Sequence, residues 1–199
     1  TRDFIPIREA LGQYFDKGGP PAAAPREGEI SYVLTGFTAL DDFLGGLQRS
    51  DLIVLGARPS LGKTCLALNI ARNAAINQKA CVALCSLEMS RDAVVQRLLA
   101  SESGVDSRKV RRGRFGEQDE VKIMQASGVL SEAPIYVDDS AMLRVVDIRS
   151  KARRLHFERG IDLIIIDYLQ LIQSYLNQIL KAPACKSHRA SLHSLSLLR

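Results

Sequence analysis

The feature that most constrains this chain is a triplet, Gly62-Lys63-Thr64, set between a short apolar run and a segment rich in Ala, Leu and Ile. The apolar run, Leu52–Gly56, has the length and character of a strand, and Gly62–Asn77 those of a helix. The whole octet, Ala57-Arg58-Pro59-Ser60-Leu61-Gly62-Lys63-Thr64, follows x-x-x-x-x-G-K-[ST]. Between a strand and a helix that pattern reads as a phosphate-cradling P-loop. Gly62 lets the backbone approach phosphate without a Cβ in the way. Successive N–H groups and the helix N-terminus supply partial positive charge. Lys63 is placed to reach the β- and γ-phosphates of ATP, and the Thr64 hydroxyl to ligate Mg²⁺. Ala57 stands where the pattern usually has its first glycine, with Gly56 beside it. The competing reading is a chance Gly-Lys-Thr at a helix start. The flanking strand and helix, and the acidic residues downstream, weigh against it.

From there the pattern alternates. Strands are expected at Ala80–Ser86, Pro134–Asp138 and Ile161–Asp167, and helices at Ser90–Ser101, Glu117–Leu130 and Val145–Arg159. Ser90 is the expected N-cap of its helix, with Val94, Val95, Leu98 and Leu99 as the inward face. In the helix at 145–159, Ile148 and Leu155 point inward. Near-continuous apolar strands between helices mean an α/β fold with a mostly parallel sheet covered on both faces. Asp167 closes the most apolar strand. A carboxylate at that end of a parallel strand points into the ligand crevice, as a metal-ordering Asp does. Glu88 follows the strand at 80–86 on the same edge. Its spacing leaves two roles open: polarising the water that attacks the γ-phosphate, or lying in the first turn of a helix.

The remaining candidates carry less. Arg108, Lys109, Arg111, Arg112 and Arg114 cluster around Gly113 and read as a solvated loop. Arg149, Lys151, Arg153 and Arg154 read as a solvated helix face. Asp138 and Asp139 suit turn capping or a place behind the metal. Tyr168 packs or stacks, and spacing does not decide which. His156, His188 and His193 have no metal-ligand partners in the sequence. Cys81 and Cys85 read as buried free thiols, and no C-x-x-C pair calls for a metal cage.

The first 17 residues read as a short amphipathic helix over 4–17, with Phe4, Ile7, Leu11 and Tyr14/Phe15 on one face. Residues 18–34 read as a flexible linker, opened by Gly18-Gly19-Pro20-Pro21. A net charge of +5 suits a polyanionic partner such as nucleic acid. No apolar run approaches the ~18 residues that span a bilayer, so no membrane partner is expected. The start is not patterned as a signal peptide, so a cytoplasmic location is expected. The missing initiator Met fits a fragment of a longer chain.

Several strings, taken together, resemble the C-terminal motor domain of DnaB-type replicative DNA helicases. They are Thr35-Gly36-Phe37-Thr38-Ala39-Leu40-Asp41, Gly45-Gly46-Leu47, the octet 57–64, Ser86-Leu87-Glu88-Met89-Ser90, Ala133-Pro134-Ile135-Tyr136-Val137-Asp138-Asp139, Lys151-Ala152-Arg153-Arg154-Leu155 and Ile166-Asp167-Tyr168-Leu169-Gln170-Leu171-Ile172. The resemblance is dense over 35–173, which it implies is a RecA-like ATPase domain preceded by a linker helix at 1–17. It implies ATP and Mg²⁺ as ligands, Lys63 and Thr64 as the Walker A pair, Asp167 as the Walker B Asp and Glu88 as the catalytic glutamate. It further implies a homo-oligomer, a hexameric ring around single-stranded DNA, with the linker helix packed on a neighbouring subunit.

Residues 174–199 depart from the family. Ser174–Ala182 resembles a later helix with the DNA-contacting loop deleted, and 183–199 matches nothing in it, as a frameshifted or degraded gene would produce. The family sets a glutamine-bearing sensor strand between the P-loop strand and the Asp167 strand. Ser191–Leu198 is the one candidate here for that slot, and it carries no Gln. No arginine finger follows. The chain as given is therefore expected to bind nucleotide without unwinding DNA. Two alternatives stand beside the helicase: another RecA-like ATPase of recombinase or clock-protein type, and a non-catalytic nucleotide-binding remnant.

Overall fold

A computed structural model describes residues 6–16, 32–58, 60–141, 144–168, 171–172 and 193–198. The chain divides into two units, Thr1–Ser31 and Tyr32–Arg199. In the first, α1 runs Ile7–Asp16. Ile7, Leu11 and Phe15 recur every fourth residue and so share one helical face, and all three are exposed. Phe4, assigned to that face by its spacing, lies outside the described residues, as does 17–31.

The second unit runs β1 (Tyr32–Val33), α2 (Thr38–Leu44), β2 (Leu47–Gln48), β3 (Leu52–Ala57), α3 (Lys63–Gln78), β4 (Val82–Ser86), α4 (Arg91–Ser103), α5 (Ser107–Arg112), α6 (Glu117–Ser131), β5 (Ile135–Asp138), α7 (Val145–Arg159), β6 (Leu163–Asp167) and β7 (His193–Leu198). Tyr32 and Val33 fall in the linker expected from sequence, yet they pair with β2 in a small antiparallel sheet.

The main sheet has the order β3-β7-β6-β4-β5. β4 runs parallel to both β5 and β6, while β7 runs antiparallel to both β3 and β6. Four strands therefore point one way and β7 opposes them, so the sheet is mostly parallel, as expected. β4 is buried at every position, because helices cover both faces. On one face Ile148 of α7 packs with Cys85 and Ile166, joined by Ile164 and Ile172. Strand residues alternate, so Leu163, Ile165 and Asp167 turn to the other face. There α3 lies along the sheet, with Ala67, Ala71, Ala74 and Ala75 buried on its inner side. Small side chains at those positions let the helix lie close to the strands.

β7 takes the slot between β3 and β6 that sequence reading assigned to Ser191–Leu198. It enters antiparallel to both neighbours, a direction on which the sequence reading was silent. Either direction satisfies the backbone groups of both neighbours, so the ladder does not distinguish them. Residues 174–182, read as a helix, lie outside the described residues.

Local signals set the helix ends. The Ser90 hydroxyl accepts the Ala93 N–H at 3.4 Å, so the expected N-cap is present. Val94 and Leu98 are buried, but Val95, expected inward, is exposed. The basic stretch at 108–114, expected to be a solvated loop, is largely helix α5. Asp106 caps it by accepting the Arg108 N–H at 2.6 Å, and Gly113 ends it with φ +61. A second anchor is the Lys109–Asp119 ion pair at 2.7 Å. Cys81 and Cys85 are buried free thiols, and burial first, then Asp138, pushes the Cys85 thiol up to about 11. Cys185 lies outside the described residues.

The Thr-Gly-x-x-x-Leu-Asp string has a structural explanation. Asp41 Oδ1 accepts the Thr35 N–H and hydroxyl, both at 2.7 Å, and Oδ2 accepts the Gly36 N–H at 3.0 Å. Asn73 of α3 donates to the Thr35 carbonyl at 2.9 Å. Gly36 has φ +79, and a Cβ there would collide with the Asn73 side chain. The string is thus a clasp that fixes the entry of the domain onto the back of the P-loop helix. Asp41→Ala strips three charge-assisted bonds and should cost about 2–3 kcal/mol, read as a lower urea midpoint with an unchanged slope. An unchanged midpoint would show that the clasp does not hold.

Candidate functional site

β3 delivers the chain to the loop at Ala57, and α3 receives it at Lys63. Between them Ser60 (φ +66) and Gly62 (φ +84) turn the backbone left-handed. Glycine adopts that conformation freely; for Ser60 it costs about 1–2 kcal/mol. Apart from its chain neighbours, no atom of the described residues lies within 4 Å of where a Cβ on Gly62 would stand. The positive φ, together with room for a ligand, is what asks for glycine there. The first intrahelical bond reaches back from the Leu66 N–H to the Gly62 carbonyl at 2.9 Å. N–H groups ahead of it have no intrahelical acceptor and open toward the loop. Pro59 lies outside the described residues.

Lys63, Thr64 and Asp167 come together. The Thr64 hydroxyl donates to Asp167 Oδ2 at 2.7 Å. Lys63 Nζ stands 3.7 Å from Asp167 Oδ1, both side chains being almost fully buried. Among the described residues Oδ1 has no hydrogen-bond partner. Lys63 Nζ also lies 4.4 Å from the centre of the Tyr168 ring, so Tyr168 stacks on a cation. Burial, and then the Glu88 and Asp167 carboxylates, push the Tyr168 phenol above its usual range.

Glu88 reaches the same edge through the strand ends. Ser86 pairs in register with Asp167, and the Leu87 N–H donates to the Asp167 carbonyl at 2.8 Å. The Ser86 hydroxyl then donates to the Met89 carbonyl at 2.8 Å and closes the turn. Helix α4 begins only at Arg91, and the acid in its first turn is Asp92. Glu88 is therefore not a first-turn helix residue, which removes one of its two roles. It is exposed and lines a cleft of about 410 Å³ with Arg58, Ser60, Gly62, Lys63 and Thr64.

Cys65, Met89 and Arg97 share that cleft, and sequence reasoning passed over all three. Arg97 Nη1 lies 3.4 Å from Cys65 Sγ. Cys65 and Met89 directly follow Thr64 and Glu88, which was the available signal. Arg97 is brought in by the path of α4, which no spacing rule reports. Other candidates lie elsewhere. Asp138 accepts from Ser140 and from Lys151 Nζ at 2.7 Å. Burial raises its carboxyl, but these bonds outweigh burial and hold it below the usual range. Asp139 pairs with Arg91 at 3.0 Å. Both are tied in turns and ion pairs. Lys151 and Arg154, expected on a solvated face, pair with Asp138 and Glu158. His156 Nδ1 accepts the Ile161 N–H at 3.1 Å beyond the end of α7.

The residues fit Mg²⁺. Asp167 Oδ1 is a buried carboxylate oxygen without a hydrogen bond, beside a hydroxyl that also offers oxygen. Mg²⁺ prefers hard oxygen donors, takes few from protein and fills the rest from water and phosphate.

Comparison with known proteins shows the family. The family model of the DnaB-like helicase C-terminal domain matches residues 33–195. The replicative DNA helicase DnaB of Geobacillus stearothermophilus is 51% identical over 148 residues, which are 74% of this chain and 33% of that protein. The replicative DNA helicase DnaC of Bacillus subtilis (strain 168) is 44% identical over 173 residues, 87% of this chain and 38% of that protein. The chain thus spans about a third of the length of these relatives. Among solved structures, a DnaB-like replicative helicase described with its interactions with primase superposes with a TM-score of 0.73 at 33% identity, over 86% of this chain and 40% of that one. A second solved structure, described as an ATPase domain, gives 0.70 at 32% identity, over 87% of this chain and 60% of that one.

Proposed function

The chain belongs to the DnaB-like helicase C-terminal domain family, and on that premise we propose that it is the ATP-hydrolysing motor segment of a replicative DNA helicase. The observation that carries this reading is the bond from Thr64 to Asp167 with Oδ1 left open beside Lys63. The N–H groups at the start of α3 bind phosphate oxygens, and Lys63 adds a charge-assisted contact to the β- and γ-phosphates. Thr64 and Asp167 present two oxygens on one side of that position. Thr64 and Asp167 would hold Mg²⁺ there, and the ion would supply neutralisation of charge on the phosphate oxygens. Glu88 orients the attacking water and takes its proton. The family match sets aside the recombinase and clock-protein alternatives. The non-catalytic alternative differs from the helicase reading in turnover, which the variants below decide.

The partners in this reading are DNA and further copies of the chain. The net charge of +5 supports a polyanionic partner. The exposed Ile7, Leu11 and Phe15 of α1 support docking on a neighbouring copy, within a hexameric ring. A cytoplasmic location accompanies a part in replication, and among the described residues no helix is long and apolar enough to cross a membrane.

Lys63→Ala should remove most of the affinity for a fluorescent ATP analogue with Mg²⁺, leaving weak binding measurable at high concentration; equal affinity in both proteins would sink the phosphate site. Glu88→Gln should leave that binding near normal and slow ATP hydrolysis by ~10²-fold or more. Turnover at the wild-type rate would remove Glu88 from the chemistry, and a wild-type protein that binds without turnover would establish the non-catalytic reading.

Association is tested separately. Changing Ile7 and Leu11 to Asp places charge where an apolar face must dock, and burying unpaired charge is costly. Light scattering should then show oligomers replaced by monomers. An unchanged mass distribution would exclude α1 from the contact.

A further inference from the structure

The ammonium of Lys63 stands where an unrestrained ammonium would not. Beside a carboxylate, a lysine ordinarily closes to a charge-assisted hydrogen bond of about 2.8 Å. Here Nζ stops 3.7 Å from Asp167 Oδ1, and among the described residues Oδ1 makes no hydrogen bond. On the other side of Nζ is the Tyr168 ring, its centre 4.4 Å away. The face of an aromatic ring carries negative charge and attracts a cation within about 6 Å, more strongly when water is excluded. The Lys63 side chain is only 9% exposed, so little water competes. Tyr168 follows Asp167 directly, so the end of β6 presents carboxylate and ring together.

We propose that Tyr168 is a positioning residue for Lys63: its ring holds the ammonium at the mouth of the P-loop and out of hydrogen-bonding contact with Asp167. Two results follow for the nucleotide site, on whose assignment this inference rests. Lys63 is pre-aimed at the position of the β- and γ-phosphates, so less side-chain freedom is lost on binding. Asp167 Oδ1 also stays open to a cation, instead of being consumed by a lysine. The ring face is the part of Tyr168 that acts on Lys63.

The test is a set of titrations with a fluorescent ATP analogue and Mg²⁺ on wild type, Tyr168→Phe, Tyr168→Leu, Lys63→Ala and the Lys63→Ala/Tyr168→Leu double variant. Tyr168→Phe keeps the ring and should bind within about twofold of wild type. Tyr168→Leu loses it and should bind about 3- to 30-fold more weakly, the range of a cation–π contact from exposed to desolvated. In the Lys63→Ala background the same change should cost no more than about twofold, because the group it acts through is gone. If Tyr168→Leu does not fold, judged by circular dichroism, Tyr168→Met fills similar space without a π face and takes its place. Equal losses with and without Lys63 would reduce Tyr168 to a packing residue and overturn the proposal. So would a Phe variant as weak as Leu, or a Leu variant that binds as well as or better than wild type. If Lys63→Ala itself binds normally, the phosphate-site assignment fails, and that failure is separate from the others.

Discussion

Thr64 and Asp167 are 103 residues apart in sequence and 2.7 Å apart at their oxygens. One lies in the first turn of a helix and the other at the end of a buried strand. Their meeting requires α3 to lie along one face of the sheet with its N-terminus at the strand ends. It also requires β6 to run in the direction that brings its last residue to that edge. The parallel register of β4 and β6 and the Leu87 N–H on the Asp167 carbonyl bring Glu88 to the same place. The remaining parts serve this juncture: the alanine face that lets α3 approach, and the Asp41 clasp behind it.

The charges around the juncture are arranged in an unfinished way. Asp167 is almost fully buried, yet it satisfies only one of its oxygens by hydrogen bonding. Leaving a buried carboxylate oxygen without a donor is costly. An ammonium is close enough to offset part of that cost but not to close on the oxygen. A bound cation with its own water shell would complete the set. The strained Ser60 backbone and the open N–H groups of α3 likewise make sense around an anion. Each of these features is unfavourable or unused in the chain by itself and becomes favourable with a metal-bound phosphate in place.

Much of this was legible in the sequence because it rests on local patterns. The P-loop is contiguous, Asp167 ends the most apolar strand, and Ser90 is a plain N-cap. Contacts distant along the chain were not legible. Asp41 looked like a fingerprint residue because its partners, and Asn73 behind them, meet only in the folded chain. Glu88 had two roles open until the true start of α4 was known. α5 was hidden because six residues are too few to show helical periodicity, so Asp106 and Gly113 were its sole signals. The direction of β7 was invisible for a different reason: side-chain pattern reports a strand, not which way it runs. Tyr168 was undecided because its role depends on Lys63, far away in the chain.

The most direct test is the Mg²⁺ dependence of nucleotide affinity in wild type and in Asp167→Asn, measured by calorimetry with ADP, with Mg²⁺ present or removed by chelation. Asparagine keeps the shape and an oxygen for the Thr64 bond but removes the charge that the metal position requires. If Thr64 and Asp167 form the metal side of the site, wild type should bind ADP more tightly with Mg²⁺ than without it. Asp167→Asn should lose most of that difference while keeping its metal-free affinity. A variant that retains the full Mg²⁺ enhancement would contradict the assignment of Asp167, and with it the reading of this juncture as a nucleotide motor.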